Sequence, residues 1–297
     1  MELNISSLFD GAHANNDKLK KATTEKQVDF MLGSSVSMLP KPQVAGKRKR
    51  NLVFPYGNYN SYYGYRNKKS KDDDPRLKAM KMEWFEGKEC LDIGCNSGIF
   101  TISIAQKFRP KSILGVDIDP DRIQDAGWHL RKFERQRAKE GDQSGQNLSE
   151  VVSFERENFV QKHHMSGKRY DTILCLSVTK WVHLNWGDDG LIFLFSKIWK
   201  LLNPGGYFVL EPQPWKSYES NRTVTEVIFK CKFIYANVLS RENMQTTAMN
   251  FSRINIRPES FQEILLDKIG FRFVEEVALS FDRTLSGFDR PIFVFQK

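Results

Sequence analysis

The sequence predicts an α/β fold, in which a mostly parallel sheet is covered by helices on both faces. Two observations indicate this fold. From Glu89 onward, short apolar strand patterns alternate with amphipathic helix patterns, as expected for parallel strands joined by crossover helices. The last two strand patterns, Phe271 to Leu279 and Pro291 to Phe295, have only a loop between them, so they can form an antiparallel edge.

The first four strands and their helices follow one another closely. We predict, in chain order, strand Glu89–Ile93, helix Ser97–Phe108, strand Ser112–Ile118, helix Asp121–Glu140, strand Val151–Glu155 and strand Tyr170–Val178. Helical periodicity in the second helix predicts a buried face made of Ile123, Trp128, Leu130 and Phe133.

The later helices are predicted from residues that typically begin or end a helix. Asp188 is placed to cap a helix, and the run Asn-Pro-Gly-Gly at 203–206 ends that helix. Strand Tyr207–Glu211 follows, and a helix over Pro258–Ile269 is ended by Gly270. With the two late strands, the predicted sheet is seven-stranded, mostly parallel and antiparallel at its C-terminal edge.

Composition limits the class of protein. With 297 residues and 40% hydrophobic content, the chain can form one large domain, placed at 46–297 after a disordered polar tail at 1–45. Lys and Arg number 45 against 36 Asp and Glu, and this excess of +9 favours polyanionic partners such as nucleic acid. The basic run at 47–50 is equally consistent with a nuclear address, a phosphate-binding arm or a solvated stretch.

Cysteine and apolar patterns bear on the compartment. The four cysteines form no CxxC pair, and we expect reduced thiols, as in a cytosolic or nuclear protein. We see no signal-peptide core and no window of about 18 apolar residues, so we expect neither secretion nor membrane association. His163 and His164 lack Cys or acidic neighbours at metal-ligand spacing, so no metal is expected.

A glycine-containing turn lies between the first strand and the first helix, and reads Leu-Asp-Ile-Gly-Cys-Asn-Ser-Gly at 91–98. Its glycines let the backbone approach a ligand, and the helix start offers free N–H groups. Asp92 can accept a hydrogen bond from an amino group or position a water molecule. Asp117, at the end of the second strand, can accept hydrogen bonds from ribose hydroxyls.

The turn departs from the pattern that binds dinucleotides. Asn96 replaces the middle glycine and the third glycine falls one residue early. S-adenosylmethionine has no phosphate for such a pattern to bind, so the turn and Asp117 together favour it over a nicotinamide cofactor. Five strand–helix units followed by a terminal hairpin are also the layout of class I S-adenosylmethionine-dependent methyltransferases, which have a Rossmann-like sheet.

Two clusters are candidates for the substrate side. Residues 51–67 contain five tyrosines, and we favour function for Tyr62, Tyr63 and Arg66 because this polar segment suits core packing poorly. After the fourth strand, Lys180 can bind phosphate as a point charge. His183 is equally suited to act as an acid, base or hydrogen-bond donor and to fix the loop.

Aromatic and proline residues complete these clusters. Trp181 and Trp186 can stack on a base or pack the loop, and packing is the commoner fate. The run Glu-Pro-Gln-Pro-Trp at 211–215 is stiffened by two prolines, which suggests a rigid wall of the substrate cleft. Glu211 can instead be a structural acceptor.

The chain resembles the bicoid-interacting-protein-3 RNA methyltransferases in four motifs that occur in the same order. They read Tyr-Gly-Asn-Tyr…Tyr-Tyr-Gly-Tyr-Arg at 56–66, Asp-Ile-Gly-Cys-Asn at 92–96, Leu-Ser-Val-Thr-Lys-Trp-Val-His-Leu-Asn-Trp-Gly-Asp at 176–188, and Glu-Pro-Gln-Pro-Trp at 211–215. The resemblance extends from about residue 51 to the end of the chain. Within the family it is strongest to the branch that forms a methylphosphate cap on 7SK small nuclear RNA.

The resemblance implies methyl transfer from S-adenosyl-L-methionine to the 5′ γ-phosphate of a small non-coding RNA, in the nucleus, with La-related ribonucleoprotein proteins as partners. It assigns the RNA triphosphate to Tyr62, Arg66 and Lys180, and His183 joins these as a candidate catalytic residue. We place Asp92 in the cofactor site from its position. The resemblance adds to this site Tyr63, Arg76, Gly94, Cys95, Asn96, Asp117, Ile118, Asn158, Phe159 and Leu176. Phe159 stands where the family commonly has tyrosine, so the hydroxyl is missing there.

Two other functions remain consistent with the residues. One is methylation of an RNA 5′ monophosphate, as in a branch that resembles this chain less in its tyrosine-rich segment. The other is an RNA-binding scaffold in a small ribonucleoprotein with a minor catalytic role. For methyl transfer, a phosphate oxygen is already an anion near neutral pH, so we expect positional catalysis without an essential general base.

Overall fold

The computed structural model describes residues 56–59, 62, 74–139, 147–161, 167–221, 247–277 and 290–297. The predicted tail, the basic run at 47–50, Tyr63, Arg66 and the histidines at 163 and 164 lie outside the described residues. Their predicted roles therefore stay predictions.

Seven strands form one sheet in the order β3-β2-β1-β4-β5-β7-β6. Strands β1 to β5 pair in parallel, whereas β7 pairs antiparallel with both β5 and β6. This confirms the predicted seven-stranded sheet with an antiparallel C-terminal edge. The strands are β1 Glu89–Ile93, β2 Ser112–Asp117, β3 Val152–Arg156, β4 Tyr170–Leu176, β5 Leu202–Glu211, β6 Arg272–Val277 and β7 Ile292–Gln296.

The described helices lie before, between and after the parallel strands. They are α1 Arg76–Ala79, α2 Ile99–Phe108, α3 Pro120–Lys139, α4 Leu148–Val151, α5 Thr179–Leu201 and α6 Phe261–Ile264. Short 3₁₀ turns lie at Met82–Trp84 and Pro258–Ser260, and a π turn over Leu265–Ile269 extends α6. Residues 215–221 and 247–253 are also helical.

The core has one layer on each face of the sheet, because successive strand residues point to opposite faces. Cys90, Leu174 and Val209 belong to a cluster that includes residues of α2, α3 and α4. Their chain neighbours, such as Leu91 and Ile173, belong to a second cluster that includes residues of α5 and α6. The central strands β1, β4 and β5 are therefore apolar on both faces, as expected for a parallel sheet with helices on each side.

The predicted buried face of α3 is wrong in one position. Trp128 is 51% exposed, whereas Arg122, Ala126 and Leu130 are buried. Residues 122, 126 and 130 recur every four positions and lie on one side of the helix. Trp128 lies two positions from both Ala126 and Leu130, about 200° around the axis, and so faces away from the sheet.

The predicted helix start at Asp188 is confirmed, but the Asp188 carboxylate bonds to other segments. Residues Thr179–Leu201 form α5, which consists of two helices that meet at Gly187, where φ is 65° and ψ is −166°, and the second helix begins next to Asp188. The Asp188 carboxylate accepts hydrogen bonds from His183 Nε2, at 2.6 Å, and from the backbone N–H of Asn255, at 3.0 Å. It therefore joins α5 to the segment before α6.

Strand β5 begins earlier than predicted. It starts at Leu202 and includes the run Asn-Pro-Gly-Gly, which was expected to lie before the strand. The pairing with β4 shifts register between Tyr170 and Thr172, and this irregularity accommodates the extra residues.

Two absences can be stated for the described ranges. Within them, no helix is both long enough and apolar enough to cross a membrane. The same ranges hold no group of three or more His, Cys, Asp or Glu side chains placed to bind a metal ion.

Replacing Gly98 by alanine is expected to destabilise the fold by about 2–4 kcal/mol, from backbone strain and steric overlap together. Gly98 has φ +71, and an added Cβ would lie 2.5 Å from Phe154 Cζ and 2.7 Å from Ala126 Cβ. Urea unfolding of the full chain measures the loss.

Gly87→Ala is the matched control, because Gly87 also has a positive φ, +67, but open space around it. This variant should lower the free energy of unfolding only by the cost of backbone strain at a positive φ, about 1–2 kcal/mol. Equal losses in the two variants would contradict the close packing at Gly98.

Candidate active site

The carboxyl ends of β1, β2 and β4 open onto one cleft, with about 910 Å³ of empty space when the adjoining open solvent is included. Strand order reverses between β2-β1 and β4, so the loops that follow these strands diverge and leave room for a ligand. This cleft is lined by the predicted site residues Tyr62, Arg76, Asp92, Gly94, Asn96, Asp117, Ile118, Asn158, Phe159 and Leu176.

Three other predicted residues are described but do not line the cleft. Cys95 is buried within the glycine-containing turn, and Lys180 and His183 are buried in the first turns of α5. Tyr63 and Arg66 lie outside the described residues. The structure therefore brings most of the cofactor candidates together in the cleft. Of the phosphate candidates, Tyr62 lines the cleft, Lys180 is buried in α5, and Arg66 is outside the described residues.

Asp117 fixes the glycine-containing turn. Its two carboxylate oxygens accept the backbone N–H groups of Asn96 and Asp119, both at 2.9 Å. Asn96 has a left-handed φ of 51°, and its side chain accepts the N–H of Ser97. Burial raises the pKa of Asp117, although the two N–H donors oppose the rise. The carboxylate thus holds the turn in shape and faces the cleft.

Asp92 is a second buried acid in the cleft. It is 4% exposed and accepts a hydrogen bond from Thr101 Oγ1 at 2.6 Å. Burial raises the pKa of Asp92 to about 6, and the charge of Asp117 adds to the rise, while Thr101 and Arg76 oppose it. A ligand that donates hydrogen bonds or carries positive charge would stabilise both carboxylates.

Arg76 joins the segment before the sheet to the end of β5. The guanidinium is buried and donates to Asp74 through Nε at 3.0 Å and Nη2 at 2.7 Å, and to Glu211 through Nη1 at 3.2 Å. It also lies over the ring of Phe100, 4.4 Å from the centroid. These contacts place Arg76 in the cleft wall with most of its donors directed to protein groups.

Ser177 is a site residue that the sequence analysis missed. It lines the cleft after β4, with a left-handed φ of 62° that is costly for a residue with a side chain. Its N–H donates to the Glu211 carbonyl at 2.9 Å, and its hydroxyl donates to the Glu211 carboxylate at 2.8 Å. The same hydroxyl accepts from Arg290 Nη1 at 2.9 Å. These three hydrogen bonds therefore hold this strained position.

Gln213 holds the loop that precedes Lys180. Its amide nitrogen donates to the Ser177 carbonyl. Its amide oxygen accepts from the backbone N–H of Lys180 at 3.1 Å and from Thr179 Oγ1 at 3.3 Å. The run Glu-Pro-Gln-Pro-Trp therefore acts as a support for the loop after β4. The two prolines of this run predicted a rigid wall, but no local sequence pattern predicted the contacts of Gln213 with Ser177 and Lys180.

Lys180 is 5% exposed, and its ammonium donates to Ser217 Oγ at 2.9 Å and lies over the Trp181 ring at 4.3 Å. Among the described residues, no carboxylate lies within ion-pair distance of it. Burial lowers the pKa of Lys180 to about 7, and the positive charge of Arg290 adds to the lowering. Two cations held near each other form a favourable place for an anion. Arg290 is far away in the sequence and had no local signal.

His183 lies in the interior of the protein. Its Nε2 is paired with Asp188, and its Nδ1 lies 3.4 Å from the Tyr218 hydroxyl. Burial lowers the pKa of His183, and the Asp188 carboxylate opposes that change. Because the side chain is fully buried and does not line the cleft, its contacts are those of a residue that fixes the loop.

Aromatic side chains cover one side of the cleft. Tyr56 stacks on Trp186, with ring centroids 6.0 Å apart, and Tyr59 meets Trp181 edge-on at 5.9 Å. Gly57 faces Trp181 so closely that an added Cβ would overlap the indole. The two tryptophans thus pack against residues 56–59 and also line the cleft.

Comparison with known proteins identifies two matching family models. The model described as bicoid-interacting protein 3 matches residues 170–297, and one described as a methyltransferase domain matches residues 91–208. The second match spans β1 to β5 and so includes the strands that form the cleft. The methyltransferase domain implies S-adenosylmethionine as the cofactor.

Curated relatives cover most of the chain. A probable RNA methyltransferase of Arabidopsis thaliana is 54% identical over 84% of this chain and 83% of its own length. The U6 snRNA methylphosphate capping enzyme Amus of Drosophila melanogaster is 35% identical, over 84% and 77%. The 7SK snRNA methylphosphate capping enzyme of Mus musculus is 34% identical over 85% of this chain, which spans only 42% of that protein.

The residues of the cleft fit S-adenosylmethionine. Buried Asp92 and Asp117 would hold its ammonium and hydroxyl groups, and the apolar side chains of Phe159 and Leu176 suit its adenine and methylene groups. The part of the cleft formed by these residues contains two acidic side chains. Negative charge there favours a cofactor that has a sulfonium and an ammonium group and no phosphate.

Asp117→Asn is expected to weaken binding of S-adenosylhomocysteine by about 10–100-fold, as for loss of a charged hydrogen-bond acceptor. The amide also places a donor against the N–H groups of Asn96 and Asp119. Titration calorimetry measures the affinity. Asp121→Asn, an exposed acid outside the cleft lining, is the control and should leave it unchanged. Equal affinity in the Asp117 variant and the wild type would exclude the proposed contact.

Proposed function

This chain belongs to the bicoid-interacting protein 3 family, and we propose that it methylates a 5′ phosphate of RNA. The observation that carries the proposal is buried Lys180, in the first turn of α5. Val178 and Trp181, on either side of it in sequence, both line the cofactor cleft. A cation is therefore held beside the place where the methyl donor fits.

An anionic substrate explains why a lysine is buried there. Moving an ammonium out of water costs free energy, and the only hydrogen bond of the Lys180 ammonium among the described residues, to Ser217 Oγ, offsets little of it. The charge of Arg290 increases the cost. A phosphate bound between the two cations would offset both penalties. Lysine would contribute a point charge, and arginine would contribute a planar set of N–H donors.

The chemistry requires alignment more than proton transfer. S-adenosylmethionine supplies an electrophilic methyl group when bound. A terminal phosphate oxygen is an anion near neutral pH, so Lys180 and Arg290 need only hold the phosphate and orient that oxygen. Buried His183 is not required as a base, because its nitrogens face Asp188 and Tyr218.

The finer proposal is that the acceptor is the γ-phosphate of a 5′ triphosphate on a small non-coding RNA of the 7SK type. The names of the mouse and Drosophila relatives support a methylphosphate cap on small nuclear RNA. Tyr62, on the cleft lining, and Arg66, outside the described residues, would join Lys180 at the triphosphate. Nuclear localisation and La-related protein partners belong to the same proposal.

Methyl transfer should distinguish RNAs by their 5′ group. One RNA sequence is prepared with a 5′ triphosphate, monophosphate or hydroxyl and incubated with labelled cofactor. We expect the triphosphate RNA to be methylated at least about tenfold faster than the monophosphate RNA, because it can reach more cationic donors. The hydroxyl RNA serves as the control and should remain unlabelled. A preference for the monophosphate would overturn the γ-phosphate assignment and favour the other branch of the family.

Affinity for triphosphate RNA should fall as pH rises through about 7, the pKa of Lys180. Its pKa lies below the ordinary lysine value, so the side chain is charged below pH 7 and becomes neutral above it. Measurement of Kd from pH 6 to 9 tests this.

Lys180→Arg should flatten this pH profile, because arginine stays charged, whereas Lys180→Met should bind about tenfold more weakly at pH 6. A wild-type profile independent of pH, with Lys180→Met binding normally, would show that Lys180 does not contact the phosphate.

A further inference from the structure

One exposed face of α3 carries four cations and a tryptophan. Its residues follow helical spacing, so they lie in one row along the helix. All of them are exposed, and together they line a shallow groove. We name this row the α3 stripe, and it consists of Trp128, Arg131, Lys132, Arg135, Gln136 and Lys139. From first residue to last it is about 16 Å long, at 1.5 Å per residue.

The charge of the stripe is positive and, within the part of the chain that the structure describes, largely uncompensated. Its members include no acid, and Asp125, one turn before Trp128, is paired with Arg122 at 2.9 Å. Glu134, on the same helix, instead accepts from Ser149. Among the described residues, Arg131, Arg135 and Lys139 have no carboxylate within ion-pair distance. A row of cations of this kind attracts a polyanion.

Trp128 is exposed to solvent and contacts two side chains of the same helix. Lys132 Nζ lies 5.1 Å from the centre of its ring, and His129 meets it edge-on at 5.0 Å. An exposed aromatic ring among cations combines a stacking platform for a base with donors for phosphates. An acidic peptide would use the cations but would gain less from an exposed indole, so the combination favours nucleic acid.

The stripe begins next to the cofactor cleft. His129 Nδ1 lies 2.9 Å from the Ser97 carbonyl, and Ser97 follows Asn96, which lines the cleft. From there the stripe continues along α3 toward Lys139. The stripe and Lys180 therefore lie on either side of the cofactor cleft, so an RNA with its 5′ phosphate at Lys180 would cross the mouth of the cleft to reach this helix.

We propose that the α3 stripe binds the substrate RNA downstream of its 5′ end, with the cations on backbone phosphates and Trp128 stacked on an unpaired base. This inference rests on the proposed function, because it takes the 5′ phosphate of an RNA as the ligand of Lys180. It adds a second contact surface that selects RNAs by length and structure and not by the 5′ group alone.

The test compares two 5′-triphosphate RNAs with the full-length protein. One is a trinucleotide and the other is a stem-loop that begins with the same nucleotides. In Arg131→Gln/Arg135→Gln, we expect the KM and Kd of the stem-loop to rise about tenfold and kcat to stay unchanged. The slope of log affinity against log salt should become shallower by about 2, one for each lost phosphate contact.

Two controls separate the stripe from general charge and folding effects. Lys268→Gln/Arg272→Gln removes the same charge from exposed positions elsewhere and should leave the stem-loop affinity unchanged. The trinucleotide should be methylated equally by all the proteins. Trp128→Ala should weaken stem-loop binding about tenfold, and Trp128→Tyr should restore most of it, because a tyrosine ring can still stack.

Unchanged stem-loop affinity in the arginine variant, or an equal loss in the lysine–arginine control, overturns the proposal. A stripe that binds an acidic protein would give the first of these results. If the wild type methylates neither RNA, the proposed function fails. The stem-loop Kd then still decides whether the stripe binds RNA.

Discussion

The buried contact of Arg76 with Glu211 is the interaction on which the site depends. It joins α1 to the end of β5, and Glu211 in turn accepts from Ser177 at the end of β4. Ser177 also accepts from Arg290, just before β7. Removing one partner of a buried ion pair costs about 3–5 kcal/mol, because the other charge is left uncompensated. One network thus positions four segments around the cleft.

This network explains how Lys180 can be held out of water. Glu211 and Gln213 are two residues apart in an extended segment, so their side chains can point the same way. Glu211 fixes Ser177, and Gln213 accepts from the backbone of Lys180. The prolines at 212 and 214 limit the freedom of this segment, so its supporting groups are arranged before any substrate binds. The ends of β4 and β5 therefore support Lys180 in the proposed phosphate site.

The acidic and basic parts of the site are separate. Asp92 and Asp117 lie on the wall formed by β1 and β2, where the cationic cofactor fits. Lys180 and Arg290 lie after β4 and before β7, where a phosphate would be held. This separation lets one end of the sheet bind a cation and an anion side by side, as transfer of a methyl group between them requires.

Local patterns in the sequence predict most of the fold. The apolar runs that became β1, β2 and β4 are short, bounded by polar residues and apolar on both faces, so their ends were found within about two residues. Asp92 and Asp117 were found because acids that follow successive parallel strands must meet at one edge. In contrast, Trp128 fits a helical apolar pattern and yet faces solvent, because Ala126 and Leu130 define the packed side.

Asp188, Ser177 and Lys180 each have a partner that could not be predicted, because it is distant in the sequence. Asp188 meets Asn255, Ser177 meets Arg290, and Lys180 meets Ser217. No spacing rule links such pairs, and only the completed sheet brings them together. The same limit applies to Arg290, whose importance depends on the position of β7 beside β5.

The most direct test of this account is a crystal structure of the protein with S-adenosylhomocysteine and a 5′-triphosphate RNA. We expect the cofactor product to lie between Asp92 and Asp117, and a phosphate oxygen to lie within hydrogen-bond distance of Lys180 Nζ. A terminal phosphate bound away from Lys180, with its ammonium still directed only to Ser217, would contradict the central claim.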